Sequence, residues 1–321
     1  MQETKNNKVT NISQLKSIIY ETLTPHITKD YVYLDLPYHP NIGDSLIALG
    51  TRTFLRSQKY QCLYSSSLNT YEEKYIPDNA LIVLQGGGNF GDLWEDFQLF
   101  RDKIIETFSD YDILIMPQSV HYNDTTKLER DKKIFSKAKH LTMCTRDMQS
   151  YLFLKEHFSC ENILLVPDMA FCLSFPSIYN VAKDNTLFVK RTDKEYTGEA
   201  RYDLVPPHSD IHDWPTMETK TLPYRLYIEV EKINRGIAKY ISHSLANKIY
   251  NFCWKRILIP YNVKMGVKFL NSYSEIYTTR LHAAILGTIL SKQVFIFDNS
   301  YKKNSALYNT WLKDFPNVQL L

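Results

Sequence analysis

Glu275-Ile276-Tyr277-Thr278-Thr279-Arg280-Leu281-His282-Ala283-Ala284-Ile285-Leu286-Gly287 is the stretch on which the reading of this chain turns. Its first half reads as a strand, and its second half as a buried helix of small and aliphatic residues. Arg280 and His282 stand at the join. Residues two apart in extended backbone project to the same side, so a guanidinium and an imidazole face one point where a helix begins. The free N–H groups of a helix start already favour an anion there. Cation, titratable ring and helix dipole together predict a site for a small acidic molecule, with His282 as a candidate proton-transfer group. A satisfied core histidine is the plainer alternative.

Outward from that stretch, the strand-then-helix unit recurs along the chain. Apolar runs at 31–36, 80–85, 112–116, 141–144 and 163–166 alternate with helical patterns at 13–24, 45–57, 94–108, 127–138 and up to about 157. Near-continuous apolar strands alternating with helices imply a parallel sheet covered on both faces. Periodicity lapses over 174–185, which sets the expected boundary between a first Rossmann-like domain (1–178) and a second (185–303). The second begins with a strand at 186–190, then a polar, Pro-rich passage at 202–216 and helix-forming sequence to about 256. A helix at 262–272, the opening stretch and a strand at 293–297 complete it. The tail, 304–321, reads as a terminal helix packing back on the first domain. The fold class is therefore α/β, with two doubly wound parallel-sheet domains facing a central cleft.

Composition narrows the function. The chain has 321 residues, 44% hydrophobic and 23% charged, with a net charge of +3. That charge is too small for nucleic-acid binding, which needs a concentrated basic surface. Five cysteines without CxxC spacing favour neither a disulfide framework nor a zinc site. No basic-then-apolar leader is evident, and no run approaches the roughly 18–20 apolar residues of a spanning helix. An intracellular, soluble protein is expected. Residues 232–256 carry six Lys or Arg and no acid, with Ile233, Ile237, Ile241, Leu245, Ile249 and Phe252 at helical spacing. Such a helix can lie on an anionic membrane or pack on its own domain with its charges solvated.

Only ten glycines occur, and five fall in two motifs. Gly86-Gly87-Gly88-Asn89-Phe90-Gly91 satisfies the G-x-G-x-x-G pattern, but the dinucleotide fingerprint also needs an acid ending the next strand. Asp112, at the right distance, begins a strand, so no redox cofactor is expected. What remains is a loop offering backbone N–H groups at a helix start, with Asn89 and Asp92 as polar contacts, or a tight turn without a ligand. Asn41-Ile42-Gly43-Asp44 is the matching loop after the first strand, where Asp44 suits an N-cap or a ligand contact. Arg146, after the strand at 141–144, is a candidate for bidentate contact with a carboxylate or phosphate, or for a local pair with Asp147 or another surface acid.

These stretches together resemble the polysaccharide pyruvyltransferase family. The resemblance rests on Asn41-x-Gly43-Asp44, Gly86-Gly87-Gly88-Asn89, Pro117-Gln118-Ser119, Thr145-Arg146-Asp147 with Ser150, Pro167-Asp168-Met169-Ala170-Phe171, Thr279-Arg280-Leu281-His282-Ala283, and Phe297-Asp298 with Tyr301-x-Lys303. It implies a GT-B-like enzyme that transfers the pyruvyl group of phosphoenolpyruvate to two hydroxyls of a sugar, forming a cyclic ketal. Phosphoenolpyruvate is then a substrate, and neither cofactor nor metal is implied. Arg146 and Arg280 become clamps on the donor and His282 its acid/base. Gly86, Gly87, Gly88, Asn89 and Lys303 join them around the donor. Asn41, Gly43, Asp44, Asp92, Gln118 and Arg191 fall to the acceptor side or to structural loops, Arg191 also as a candidate for donor phosphate. The implied acceptor is a galactose-type sugar in a capsular, exopolysaccharide or cell-wall precursor, often carried on polyprenyl diphosphate. A lipid-linked acceptor would give the basic segment 232–256 a purpose at the inner face of the plasma membrane. Two other classes fit the architecture, a nucleotide-sugar glycosyltransferase and a non-catalytic glycan-binding subunit of a capsule-assembly complex.

Overall fold

The computed structural model describes residues 8–175, 183–192, 202–218, 221–298 and 302–321. Residues 176–182 of the expected boundary, and Tyr301 of the Tyr301-x-Lys303 pair, lie outside the described residues.

The first half runs α1 (Ile12–Leu23), β1 (Tyr31–Leu34), α2 (Ile42–Arg56), β2 (Cys62–Ser65), β3 (Leu81–Leu84), β4 (Gly87–Gly91), α3 (Glu95–Thr107), β5 (Asp112–His121), α4 (Thr125–Phe135), β6 (His140–Thr145), α5 (Met148–His157) and β7 (Asn162–Leu165). Tyr-Val-Tyr-Leu of β1 and Leu-Ile-Val-Leu of β3 are buried at every position. Strands covered on both faces have no use for polar alternation. The strand order is β2-β1-β3-β5-β6-β7, with β4 paired to β5, and every pair is parallel.

The second half runs β8 (Lys183–Val189), β9 (Asp210–His212), α6 (Leu222–Tyr240), α7 (His243–Cys253), α8 (Ile259–Asn271), β10 (Tyr273–Thr278), α9 (Leu281–Ile289), β11 (Gln293–Ile296), α10 (Lys303–Leu307) and β12 (Val318–Leu320). Its parallel sheet has the order β12-β11-β10-β8-β9. Both sheets are thus doubly wound in the same way. The chain adds the second strand on one side of the first, then crosses to the other side for the third. The order reverses at β1/β3 in one sheet and at β8/β10 in the other. Ligands bind in such sheets at the carboxyl ends of the strands flanking the reversal.

One core joins the halves. It includes Leu15 and Ile19 of α1, Leu46 and Phe54 of α2, Ile259 and Val263 of α8, Leu286 of α9 and Val294 of β11. Gly50 marks a close backbone approach. A Cβ there would lie 2.0 Å from the Met169 carbonyl oxygen, so α2 packs on the 3-10 turn Met169–Cys172 backbone to backbone.

Three sequence expectations are corrected. The glycines of 86–91 do not open a helix. Gly87–Gly91 is a strand on β5, and α3 starts four residues after it, so the motif supplies no helix N-terminus. The basic segment is not one helix, because α6 ends at Tyr240 and Ser242 caps α7 by accepting from the Leu245 N–H. The tail is helical only through α10 and a π-turn, Tyr308–Leu312. Its last residues form β12, which pairs with β11 and becomes the edge strand of that sheet.

Candidate active site

Both reversal points open into one cavity of about 510 Å³. From the first half it is lined by Asp35 and Gln85 beyond β1 and β3, with Asn41 and Asp44 from the start of α2. From the second it is lined by Arg191 beyond β8, and by Arg280 and His282 at the join of β10 and α9. Gly86, Gly88, Asn89, Arg146 and Lys303 also face it.

Arg146 follows β6 and is 2% exposed. Its Nη1 donates to Asp168 Oδ2 at 2.8 Å and its Nε to Ser119 Oγ at 2.9 Å. The local pair with Asp147, one alternative for this arginine, does not form, and its acid partner is the buried Asp168. Asp147 instead caps α5, accepting from the Ser150 N–H at 2.8 Å, and accepts from Ser119 Oγ at 2.6 Å. His282 Nε2 lies 3.4 Å from Arg146 Nη1 and 3.3 Å from Asp168 Oδ2. The two halves of the site therefore meet, across 136 residues of chain. Burial alone would raise the Asp168 carboxyl, but the adjacent His282 and Arg146, with the Ala170 N–H, hold it well below the usual carboxylate range.

Arg280 is the N-cap residue of α9, with extended backbone (φ −98°, ψ 119°). Its Nε donates to Asp213 Oδ1 and its Nη2 to Asp213 Oδ2 at 2.6 Å, a fork matched to a carboxylate. Asp213 is fixed in turn by the Trp214 N–H and by Thr192 Oγ1, both at 2.7 Å. Lys303 Nζ donates to the Gly88 carbonyl at 3.2 Å, bringing α10 to the glycine strand.

Two glycines are needed for this closeness. A Cβ on Gly43 would lie 2.6 Å from His282 Nδ1, and one on Gly88 would lie 3.0 Å from Arg146 Nη2. Gly87 lies behind the lining at φ +146°, open to glycine and rarely to other residues.

Other expected residues take structural places. Asp44 does not cap α2. Asn41 does, accepting from the Gly43 N–H at 2.9 Å, while its Nδ2 donates to Asp44 Oδ2 at 2.8 Å. Asp92 accepts from the N–H groups of Asn123 and Asp124, both at 2.6 Å, and is outside the cavity lining. Gln118 is fully buried, and its Nε2 donates to the Gln85 carbonyl, bridging strand ends where β3 and β5 part.

The family model for polysaccharide pyruvyl transferase matches residues 41–301. The chain belongs to the polysaccharide pyruvyl transferase family. It is 31% identical over 298 residues to the Bacillus subtilis (strain 168) protein named "Putative pyruvyl transferase EpsO", covering 91% of this chain and 88% of EpsO. It is 27% identical to Pyruvyl transferase 1 of Schizosaccharomyces pombe over 88% of this chain and 70% of that protein. The fold is shared with Klebsiella pneumoniae KP1_0663, whose crystal structure aligns over 96% of this chain and 98% of that one with a TM-score of 0.62 at 19% identity. The chain is thus a pyruvyl transferase of polysaccharides by family. Among the described residues no helix is long and apolar enough to cross a membrane.

Sequence reasoning passed over Asp35, Asp168 and Asp213 as site residues. Asp168 was legible as a strand-end acid within Pro167-Asp168. Asp213 had no signal, because its passage carries no periodicity to place it beside Arg280.

Proposed function

We propose that this chain transfers the pyruvyl group of phosphoenolpyruvate to two hydroxyls of a galactose-type sugar in a glycan precursor, forming a cyclic ketal. The observation that carries this is the meeting of Arg146 and His282 across the cleft, with Arg280 and Lys303 on the same cavity. The donor is small and carries a phosphate and a carboxylate, which suits several cations around one point.

His282 gives a proton to the donor methylene carbon while one sugar hydroxyl bonds to the adjacent carbon. The bond from that carbon to the phosphate oxygen then breaks, and the second hydroxyl closes the ring. The two hydroxyls release two protons. One restores the proton spent on the new methyl group and the other leaves with phosphate, so the step balances without an outside acid. Arg146 and Arg280 stabilise the charge on departing phosphate, held in advance by Asp168 and Asp213. Such pre-positioning reduces reorganisation during the reaction.

We also propose that the acceptor is lipid-linked and met at an anionic membrane by α6 and α7. Ile233 is 59% exposed, Tyr240 77%, Ile241 68% and Phe252 59%. Lys232, Lys239, Lys248 and Arg256 are exposed along the same helices and the turn that follows. Apolar and basic groups together suit the interface of an anionic bilayer. Tyr227 of α6 lines the cavity, which ties that surface to the site.

The test is phosphate release from phosphoenolpyruvate by the purified chain with p-nitrophenyl β-D-galactopyranoside. His282→Ala is expected to lower turnover by about 10²–10⁴-fold with donor affinity kept. Arg280→Ala should weaken donor binding, and unchanged affinity would contradict its role. Turnover with a nucleotide sugar in place of phosphoenolpyruvate would replace this reading with a glycosyltransferase.

A further inference from the structure

Among the described residues Asp35 is an unusual acid. It follows β1 directly, at the strand end beside the reversal of the first sheet, and lines the cavity. Its side chain is 1% exposed, yet among the described residues neither carboxylate oxygen accepts a hydrogen bond. Buried carboxylates are ordinarily saturated with donors, because an unpaired one carries its full desolvation cost. Its backbone is also left-handed, at φ +64°. Aspartate tolerates that region better than most residues, and such departures concentrate at functional sites.

A structural role as counter-ion to Arg101 does not account for it. Arg101 Nη2 stands 3.7 Å from Asp35 Oδ2, but it donates to Asn89 Oδ1 at 2.9 Å, while Nη1 donates to Gln98 Oε1 at 2.5 Å. Arg101 thus offsets the charge of Asp35 without occupying its lone pairs. The neighbour across the reversal behaves alike. Gln85 is 2% exposed and lines the cavity, with Oε1 taken by the Tyr33 hydroxyl and Nε2 unpartnered.

Asp35 and Gln85 both line the cavity, one after each strand of the reversal, and their unpartnered carboxylate and amide N–H₂ offer acceptors and donors, which is the set a hydroxyl pair uses. Phe97 and Trp94 line the cavity too and supply flat apolar faces of the kind that pack on a sugar ring.

Resting on the transfer reaction proposed above, we infer that Asp35, with Gln85, forms the acceptor subsite and accepts hydrogen bonds from sugar hydroxyls that are not themselves converted to the ketal. Asp35 binds the acceptor and leaves the donor to the arginines. Its partner is a neutral polyol ring.

The test is a cycle between protein and acceptor. Wild type and Asp35→Asn are assayed with phosphoenolpyruvate and the p-nitrophenyl galactoside, then with its 2-deoxy and 3-deoxy forms, while calorimetry follows phosphoenolpyruvate binding. Asp35→Asn is expected to lower kcat/KM for the parent acceptor at least tenfold, chiefly through KM, with donor affinity within twofold. One deoxy acceptor should lose at least tenfold with wild type and less than threefold with Asp35→Asn, a coupling that a merely structural role would not produce. Asp35→Glu, which restores the charge one methylene farther out, serves as a second variant should the first fail to bind donor, and is expected to raise acceptor KM with donor affinity kept. Acceptor KM unchanged in either folded variant, or equal deoxy penalties in wild type and Asp35→Asn, overturns the assignment and leaves the transfer reaction standing. Absence of turnover by wild type overturns both.

Discussion

Arg146 and Arg280 are each held by one buried carboxylate, Asp168 and Asp213, with Nη1 of the first at 2.8 Å and Nη2 of the second at 2.6 Å from a carboxylate oxygen. Breaking such a pair by removing one partner typically costs about 3–5 kcal/mol, because the other charge is left buried alone. These acids therefore position the cations as well as balancing them. Asp35 is the opposite case, a carboxyl that burial raises from its ordinary 3.8 to about 7, against the lowering effect of Arg101 and with a further rise from Asp44. A raised carboxyl binds more protons folded than unfolded, so its contribution to stability is full below pH 3.8 and is lost as pH rises through about 7. A rise of that size corresponds to about 4 kcal/mol at most. Asp35→Asn should therefore resist denaturant better than wild type at pH 8, by on the order of 2–4 kcal/mol, and no better near pH 4. Urea unfolding at the two pH values checks this, and an equal difference at both would contradict it. Arg146, Arg280 and His282 were legible because a charged residue just after an apolar strand marks the ligand-binding end of a parallel sheet. Asp35 sits in the same kind of place, but its isolation from donors is a property of packing that no local pattern carries.

At the scale of elements, the strand-helix alternation was readable because buried parallel strands and helices differ in length and period. The errors fell where local pattern underdetermines pairing. Gly86–Gly91 satisfies a helix-opening motif, yet β5 continues past Pro117 to His121 and offers Gly87 and Gly91 partners at Gln118 and His121. Likewise the continuous apolar spacing from Ile233 to Phe252 hid a break, because Ser242 is an N-cap only if a helix is seen to start after it. The pair α6–α7 leads to its own prediction. Flotation with vesicles containing about a third phosphatidylserine should recover wild type at low salt and release it as salt screens the attraction. Ile241→Asp with Phe252→Asp should lower the bound fraction several-fold while turnover of the soluble galactoside stays within twofold. Equal flotation of wild type on neutral vesicles would contradict an electrostatic contribution.

For the whole molecule, the decisive fact is that residues distant in sequence share one core and one cavity. Leu46 of α2 and Leu286 of α9 belong to a single apolar cluster, and Trp311 near the carboxyl end donates from Nε1 to the Arg146 carbonyl at 2.8 Å. Sheets coupled this closely should unfold together. Calorimetry is expected to give one transition, with the calorimetric and van't Hoff enthalpies in agreement, and two separable transitions would show that the halves are independent. The sequence could place Arg146 and His282 each at a strand end, but their meeting depends on how two sheets turn toward one another, which periodicity does not encode. That meeting is the basis of the proposed chemistry. Its most direct test is carbon NMR of the purified chain incubated with phosphoenolpyruvate labelled at the phosphate-bearing carbon and the p-nitrophenyl galactoside. A quaternary ketal signal from the labelled carbon, growing with phosphate release and absent with His282→Ala, is the predicted result. Conversion of the label to free pyruvate alone, or a ketal signal undiminished in His282→Ala, would contradict it.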